Sequence, residues 1–160
     1  MGNEIRFYSA NGPYGCFSNF SAYPVVIDGV AYPTTEHYFQ SQKFADETIR
    51  RQVRTARTPM EAARLGRDRN HPLRKGWESM KDEVMLRALR AKAEQHEEFR
   101  EVLLSTGQAV IIEHTENDSY WGDGGDGSGK NRLGKLLMKV RDEYRGLLHS
   151  NRHVRTHELM

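Results

Sequence analysis

The sequence predicts a mainly α, α+β fold: a single compact helical domain that carries a small β-sheet and hairpin. Three observations predict it. Strand-like residues are confined to the front and to one later run, helix caps and 3.6-residue apolar stripes fill most of the rest, and 160 residues at 37% hydrophobic content suit one core. Taking the elements in order, Glu4 to Tyr8 has strand character. Val25 to Tyr32 then sets Asp28-Gly29 between β-branched and aromatic residues, a strong hairpin signal. Pro33 and Thr34 open a helix expected to run to about Phe44, and Asp46 can cap a second. Thr58-Pro59-Met60-Glu61 combines a capping hydroxyl, proline at the first helical position and glutamate at the third, so it starts another. From about Glu78 to Gln95, Met80, Val84, Ala88 and Ala91 form one apolar stripe, and His96 to Ser105 continues helically. Gly107 ends that pattern, and Ala109 to His114 reads as a buried strand. In the last helix Leu133, Leu136, Leu137, Val140, Tyr144 and Leu148 mark the core face. No repeat and no linker-like stretch interrupts the chain, so residues 1–150 are expected to form the domain and residues 151–160 a frayed tail.

Composition narrows the function. The apolar runs are only a few residues long, as at Ala109 to Ile112, against the roughly 20 that cross a bilayer, so no membrane span is expected. The N-terminal residues show no export pattern, and the expectation is a cytoplasmic protein. The single cysteine, Cys16, can form neither an internal disulfide nor a multi-thiolate metal site, and reads as a structural thiol. Charge is close to balanced, with 24 Lys+Arg against 22 Asp+Glu. Its placement is uneven: Arg50 to Lys75 holds nine cations and two anions. Such a block attracts phosphate, on a small molecule or on a nucleic acid, although a solvated helical face explains many of its arginines equally well.

Three segments carry possible chemistry. From Gly122 to Gly129 five of eight residues are glycine, and the loop leads into a helix N-terminus. Glycine lets backbone N–H groups approach an anion, so Gly122, Gly124, Gly127 and Gly129 could cradle a phosphate; a flexible connection is the alternative. The loop matches neither a Walker motif, a dinucleotide fingerprint nor a calcium loop. Second, Glu36, Gln40 and Lys43 fall on one helical stripe at i, i+4 and i+7. They form either an acid/base site or an ordinary solvated face. Third, His114-Thr115-Glu116-Asn117-Asp118 lies at the end of a strand just before Trp121, and His114 is either an acid/base or a packed histidine. His149, His153 and His157 are four apart but lie in the weakly patterned tail, and no metal site is expected.

Together, Phe17-Ser18-Asn19-Phe20, Pro33 through Phe44, Leu65-Gly66-Arg67, Trp77, His114-Thr115 and Trp121-Gly122 through Leu133-Gly134 resemble the NADAR (YbiA-like) family. The match runs from about Glu4 to Leu148. Within the family it looks closest to bacterial N-glycosidases of riboflavin biosynthesis intermediates. The resemblance implies a YbiA-like fold and hydrolysis of the bond between ribose 5-phosphate and the amine of early pyrimidine intermediates, a form of metabolite damage control. It implies no cofactor, and a small phosphorylated ribosyl substrate as the partner. Some relatives resemble enzymes that remove ADP-ribose from guanine, which would bring nucleic acid in as the partner.

In an N-ribosyl amine, ring opening gives an imine at C1, which an uncharged lysine can attack to form its own Schiff base. Lys43 is the candidate amine and Glu36 the proton shuttle. Direct attack by water, with Glu36 as base and Lys43 only electrostatic, is the alternative route. The resemblance further assigns the 5-phosphate to the glycine loop and Arg67, and the pyrimidine to Trp77 or Trp121. It makes Asn19, Gln40, Asp126 and Asn131 ribose or loop-orienting partners. A non-catalytic nucleotide or nucleic acid binding module, using the Arg50 to Lys75 block, is the rival from another class.

Overall fold

The computed structural model describes residues 3–158, with side chains for residues 3–148. In chain order it has strand β1 (Glu4–Phe7), a 3-10 turn (Gly15–Phe17), strands β2 (Val25–Ile27) and β3 (Val30–Tyr32), and helices α1 (Thr35–Ser41), α2 (Glu47–Arg54), α3 (Pro59–Arg67), α4 (Trp77–Gln95) and α5 (Glu97–Ser105). Strand β4 (Val110–Glu113) and helix α6 (Arg132–Glu158) complete it. The mainly helical α+β class is therefore the one observed. Among the described residues no helix is long and apolar enough to cross a membrane.

The β2–β3 hairpin turns at Asp28-Gly29, where both residues are left-handed, at φ 53° and 77°, the backbone that a tight primed turn requires. Its outer edge is closed by a side chain: the Gln95 amide donates to Val26 O and accepts from Val26 N, both at 2.8 Å. Strands β1 and β4 pair in parallel, Glu4 opposite Val110 through Phe7 opposite Glu113. Both are shorter than the sequence suggests. Only Ile111 of β4 is fully buried and Val110 is exposed, because α6 covers one face of this two-stranded sheet and nothing comparable covers the other.

The caps behave as expected. Thr34, Asp46 and Thr58 each accept a backbone N–H from the first turn of α1, α2 and α3. Helix α4 buries a broader face than its stripe indicates: Val84, Met85, Leu86, Ala88, Leu89 and Ala93 are in the core, while Met80 and Ala91 are only partly buried. Lys92 is fully buried on that face. Its ammonium donates to Cys16 O (2.5 Å), Ser18 O (3.2 Å) and Ser21 Oγ (3.0 Å), under the rings of Phe99 and Tyr23. Burial lowers this amine to about 7, and the three acceptors offset part of the cost of its charged form where no counter-ion stands beside it. The contact pins the loop after the 3-10 turn to α4. Cys16 is partly buried in the 3-10 turn itself, and burial pushes its thiol up, consistent with a structural role.

In α6, Leu133, Leu136, Leu137 and Val140 are buried, Tyr144 is partly buried and Leu148 is exposed, since the helix outruns the core. Gly134 lets α6 lie against β4: a Cβ there would stand 2.1 Å from Ile111 O. The α6 backbone stays helical through Glu158, into the segment expected to fray. The side chains from 149 onward, with the His149, His153 and His157 series, lie outside the described residues.

Candidate active site

All seven residues of α1 are buried, because α2, α3, α4 and β3 pack around it. This decides between the two readings of its polar stripe: Glu36, Gln40 and Lys43 are 9%, 6% and 8% exposed, so they do not form a solvated face. The helix ends at Ser41, short of Phe44. The chain then tightens, with Lys43 N donating to Gln40 O and Phe44 N to Ser41 O, which leaves Lys43 in the turn after the helix but still above Gln40. His37 locks the helix from its other side. Its backbone N–H and Nδ1 both meet Thr34 Oγ1, and Nε2 lies 3.0 Å from Ala56 O in the α2–α3 connection.

A cavity of about 790 Å³ opens over this stripe. One wall comes from α1 and α3, through Glu36, Phe39, Gln40, Lys43, Met60 and Arg67. The opposite wall comes from the C-terminal ends of the parallel pair, through Tyr8 to Asn11 after β1 and Glu113, Thr115, Asn117 and Asp118 at and after β4. Ligand sites favour that end of parallel strands, where the chain turns away and leaves a crevice. Ser18, Asn19, Phe20 and Trp121 contribute between the walls. Asn19 is held by Thr35, whose hydroxyl donates to Asn19 Oδ1 (2.8 Å), and its own amide reaches Met85 Sδ. Gly66 sets the approach of α3 to α1, since a Cβ at that position would fall 1.9 Å from Gln40 Oε1.

The electrostatics suit proton transfer. Burial pushes the Glu36 carboxyl up, opposed by the Gln40 amide, which donates to Glu36 Oε1 at 2.8 Å, and then by Lys43 and Arg67. Burial lowers the Lys43 amine to about 8, with Arg69, Arg67 and Lys81 acting in the same direction and Glu36 against it. Among the described residues no hydrogen bond or ion pair ties down Lys43 Nζ; its neighbour is the Phe39 ring, 5.7 Å to the centroid. A lysine whose charge is this weakly favoured can act as a nucleophile near neutral pH. Gln40 Oε1 is buried with no hydrogen-bond partner, an acceptor left open beside the acid.

Of the residues singled out from the sequence, Glu36, Lys43, Asn19, Gln40, Arg67 and Trp121 line this one cavity. The others do not. Trp77 is in the core, 4% exposed, with its ring 5.3 Å from Phe39, because it opens α4 on the helix's buried side. His114 points away from the cavity lining: its Nδ1 donates to Asp123 Oδ2 at 2.7 Å. Asn131 is a structural tie, its side chain accepting from Glu113 N and donating to Ile111 O.

The glycine loop needs the largest correction. Gly122, Gly124, Asp126, Gly127 and Gly129 do not line the cavity, and most of the loop's backbone amides, those of Gly124 and Gly129 among them, are already used. Gly124 N donates to Asp118 O, Gly129 N to Asp123 O, Asn131 N to Gly122 O, Arg132 N to Tyr120 O and Leu133 N to Trp121 O. Asp123 and Asp126 take further N–H groups from Gly125 and Ser128. The glycines serve turns that need left-handed backbone, at Gly124, Gly125 and Gly127, and a close approach, at Gly122 and Gly129. In the arginine block, Arg67 lines the cavity and Arg69 donates to Gly66 O, and both are exposed, as are Arg51, Arg57 and Arg64.

Sequence reasoning missed Glu113, Tyr8 and Asn11, while Asp118, the third carboxyl of the cavity, and Thr115 fell within the segment singled out around His114 but were given no role of their own. Glu113 had a usable signal, an acid on the last residue of a strand.

Comparison with known proteins places this geometry among relatives. The family model described as NADAR domain matches residues 6–145. The chain is 60% identical over 139 residues to the N-glycosidase YbiA of Escherichia coli (strain K12), covering 87% of each. It superposes on the NMR structure of the E. coli protein YbiA with a TM-score of 0.83 at 58% identity, covering 91% of this chain and 87% of that one. It is also 38% identical to a riboflavin biosynthesis protein of Vibrio vulnificus (strain YJ016), across 89% of this chain and 39% of that protein.

Proposed function

The chain belongs to the NADAR domain family, and we propose that it is an N-glycosidase acting on ribosylaminopyrimidine 5′-phosphates, releasing ribose 5-phosphate and the aminopyrimidine. The names of its relatives support the bond type, and the riboflavin biosynthesis name of the Vibrio protein, of which this chain covers 39%, is in keeping with a substrate from that route. The observation that carries the reading is the buried Glu36-Gln40-Lys43 stripe, with a lysine amine lowered to about 8 and free of partners in a cavity that Arg67 also lines.

The chemistry follows from those groups. Ring opening breaks C1′–O4′ and leaves an imine between C1′ and the pyrimidine amine. Lys43 Nζ adds to C1′ while one of its protons passes to the substrate nitrogen. An acid of the site gives that nitrogen a second proton as the C1′–N bond breaks, so its electron pair leaves with a neutral amine, and C1′ stays double-bonded to Nζ as a protonated Schiff base. Water adds to C1′, giving a proton to Glu36, and collapse of the adduct returns the free amine and the sugar aldehyde. Arg67 supplies charge for the 5′-phosphate in place of the glycine loop.

The test is a product assay on ribosylaminopyrimidine 5′-phosphates and, in parallel, on guanine-linked ADP-ribose. Ribose 5-phosphate release from the first, trapping of an adduct on Lys43 by borohydride, and loss of both in Lys43→Arg are expected. Preferential cleavage of the guanine linkage would reassign the substrate. Near-normal turnover in Lys43→Arg would leave water attack as the route. Salt-sensitive oligonucleotide binding with no turnover on either substrate would favour a binding module.

A further inference from the structure

We propose that Glu113 is a second catalytic carboxyl of this site, delivering the proton to the leaving amine while Glu36 takes one from water. The inference rests on the N-glycosidase reading and concerns a residue that nothing in the motif pattern marks. Its basis is the state of the three carboxyls in the cavity. Glu36 is engaged by Gln40. Asp118 Oδ1 accepts the N–H groups of Tyr120 (2.9 Å) and Trp121 (2.8 Å), which ties this carboxyl to its own turn and leaves only Oδ2 uncommitted. The Glu113 carboxyl has no hydrogen bond and no ion pair among the described residues, although its main chain is held on both sides: N–H to Asn131 Oδ1 (3.0 Å) and C=O from Asp123 N (2.9 Å). A rigidly placed residue thus presents a free acid to the cavity, from the wall opposite α1.

That environment favours the protonated form. Burial pushes Glu113 up to about 7, with Asp118, Glu36 and Asp123 adding to the effect. The cations of the cavity, Lys43 and Arg67, sit on the α1 and α3 wall beside Glu36 rather than with it. Two carboxyls in one site with different surroundings divide acid and base work between them. The proton balance closes: the nitrogen leaves with the C1′–N pair and the Glu113 proton, water loses one proton to Glu36, and solvent carries it back to Glu113.

The experiment measures ribose 5-phosphate release, its pH profile, the affinity for ribose 5-phosphate and the melting temperature for the full chain, Glu36→Gln, Glu113→Gln and Glu113→Asp. Glu113→Gln is expected to lower kcat by about 10² to 10⁴, the range of one general acid, with ribose 5-phosphate affinity kept within about threefold. The wild-type rate should fall on the alkaline side as Glu113 loses its proton, and that limb should vanish in Glu113→Gln. Glu113→Asp should retain part of the rate together with the limb. Near-normal turnover in Glu113→Gln beside an inactive Glu36→Gln overturns the inference and leaves the N-glycosidase reading standing. Equal losses of activity, affinity and melting temperature in both Glu113 variants overturn it as well, in favour of a structural role. Absence of turnover by the wild type itself removes that reading, and the inference with it.

Discussion

Replacing Gly66 with alanine should uncouple the acid of the site without touching it. The new methyl would fall 1.9 Å from Gln40 Oε1, 2.7 Å from Cδ and 3.1 Å from Cβ, so the Gln40 side chain must leave its place or α3 must move off α1. Either way the 2.8 Å hydrogen bond from Gln40 to Glu36 is lost. Overpacking costs about 1–3 kcal/mol and the hydrogen bond about 1 kcal/mol more, while alanine returns roughly 1 kcal/mol of helix propensity over glycine. The net is about 1–3 kcal/mol, or roughly 2–12 °C in melting temperature for a chain of this size. A double-mutant cycle isolates the contact. In a Gln40→Ala background only the Cβ at 3.1 Å remains, and Gly66→Ala should cost at least 1 kcal/mol less there than in the wild type. Thermal melts of the four proteins give the coupling, and ribose 5-phosphate release reports on Glu36. Additive effects, or an unimpaired rate in Gly66→Ala, would refute the view that glycine is required here to let the amide brace the acid.

The amine's titration sets a second expectation: with Lys43 lowered to about 8, the neutral form grows as pH rises through that value, so borohydride-trapped adduct per minute in Glu113→Gln, which has no alkaline limb, should increase from pH 6 through 8 and level off only above about pH 9. Trp121→Ala should weaken ribosylaminopyrimidine binding, whereas Trp77→Phe should lower the melting temperature and leave binding intact, as fluorescence titration would show. Gly127→Ala should cost about 1 kcal/mol through its left-handed backbone, with nothing within 4 Å to clash, and leave ribose 5-phosphate affinity unchanged; Arg67→Ala should reduce that affinity in calorimetry. Lys92→Met removes three buried hydrogen bonds, at about 1 kcal/mol each because Ser21 still donates to Cys16 O and Ser18 O, and should lower the melting temperature by roughly 6 °C.

Local signals carried much of this molecule. The hydroxyl and carboxylate caps, the Asp28-Gly29 turn and the stripe on the first helix depend only on near neighbours in the chain, and all appear as the sequence suggests. What the sequence could not reveal was which faces would be covered. Whether Glu36 and Lys43 met water or protein depended on α2, α3 and α4 closing over a seven-residue helix. Lys92 follows the core stripe four residues after Ala88, yet lysine is the residue type least expected inside, and only the three oxygens brought from Cys16 to Ser21 explain it. The glycine loop misled for a related reason. Five glycines in eight residues indicate unusual backbone, but not whether the freed amides face a ligand or one another. Glu113 and Asp118 became visible as site residues only once β1 and β4 were side by side.

That pairing has a consequence for how the protein is made. Glu4 cannot meet Val110 until most of the chain has been synthesised, and joining such distant segments is an entropic cost met late in folding. The segment bearing the reactive amine emerges from the ribosome long before the strand that lines the other side of the cavity. A nascent chain would therefore carry Lys43 without a chamber around it, as an ordinary charged lysine. Reactivity would switch on only when the two ends of the polypeptide come together.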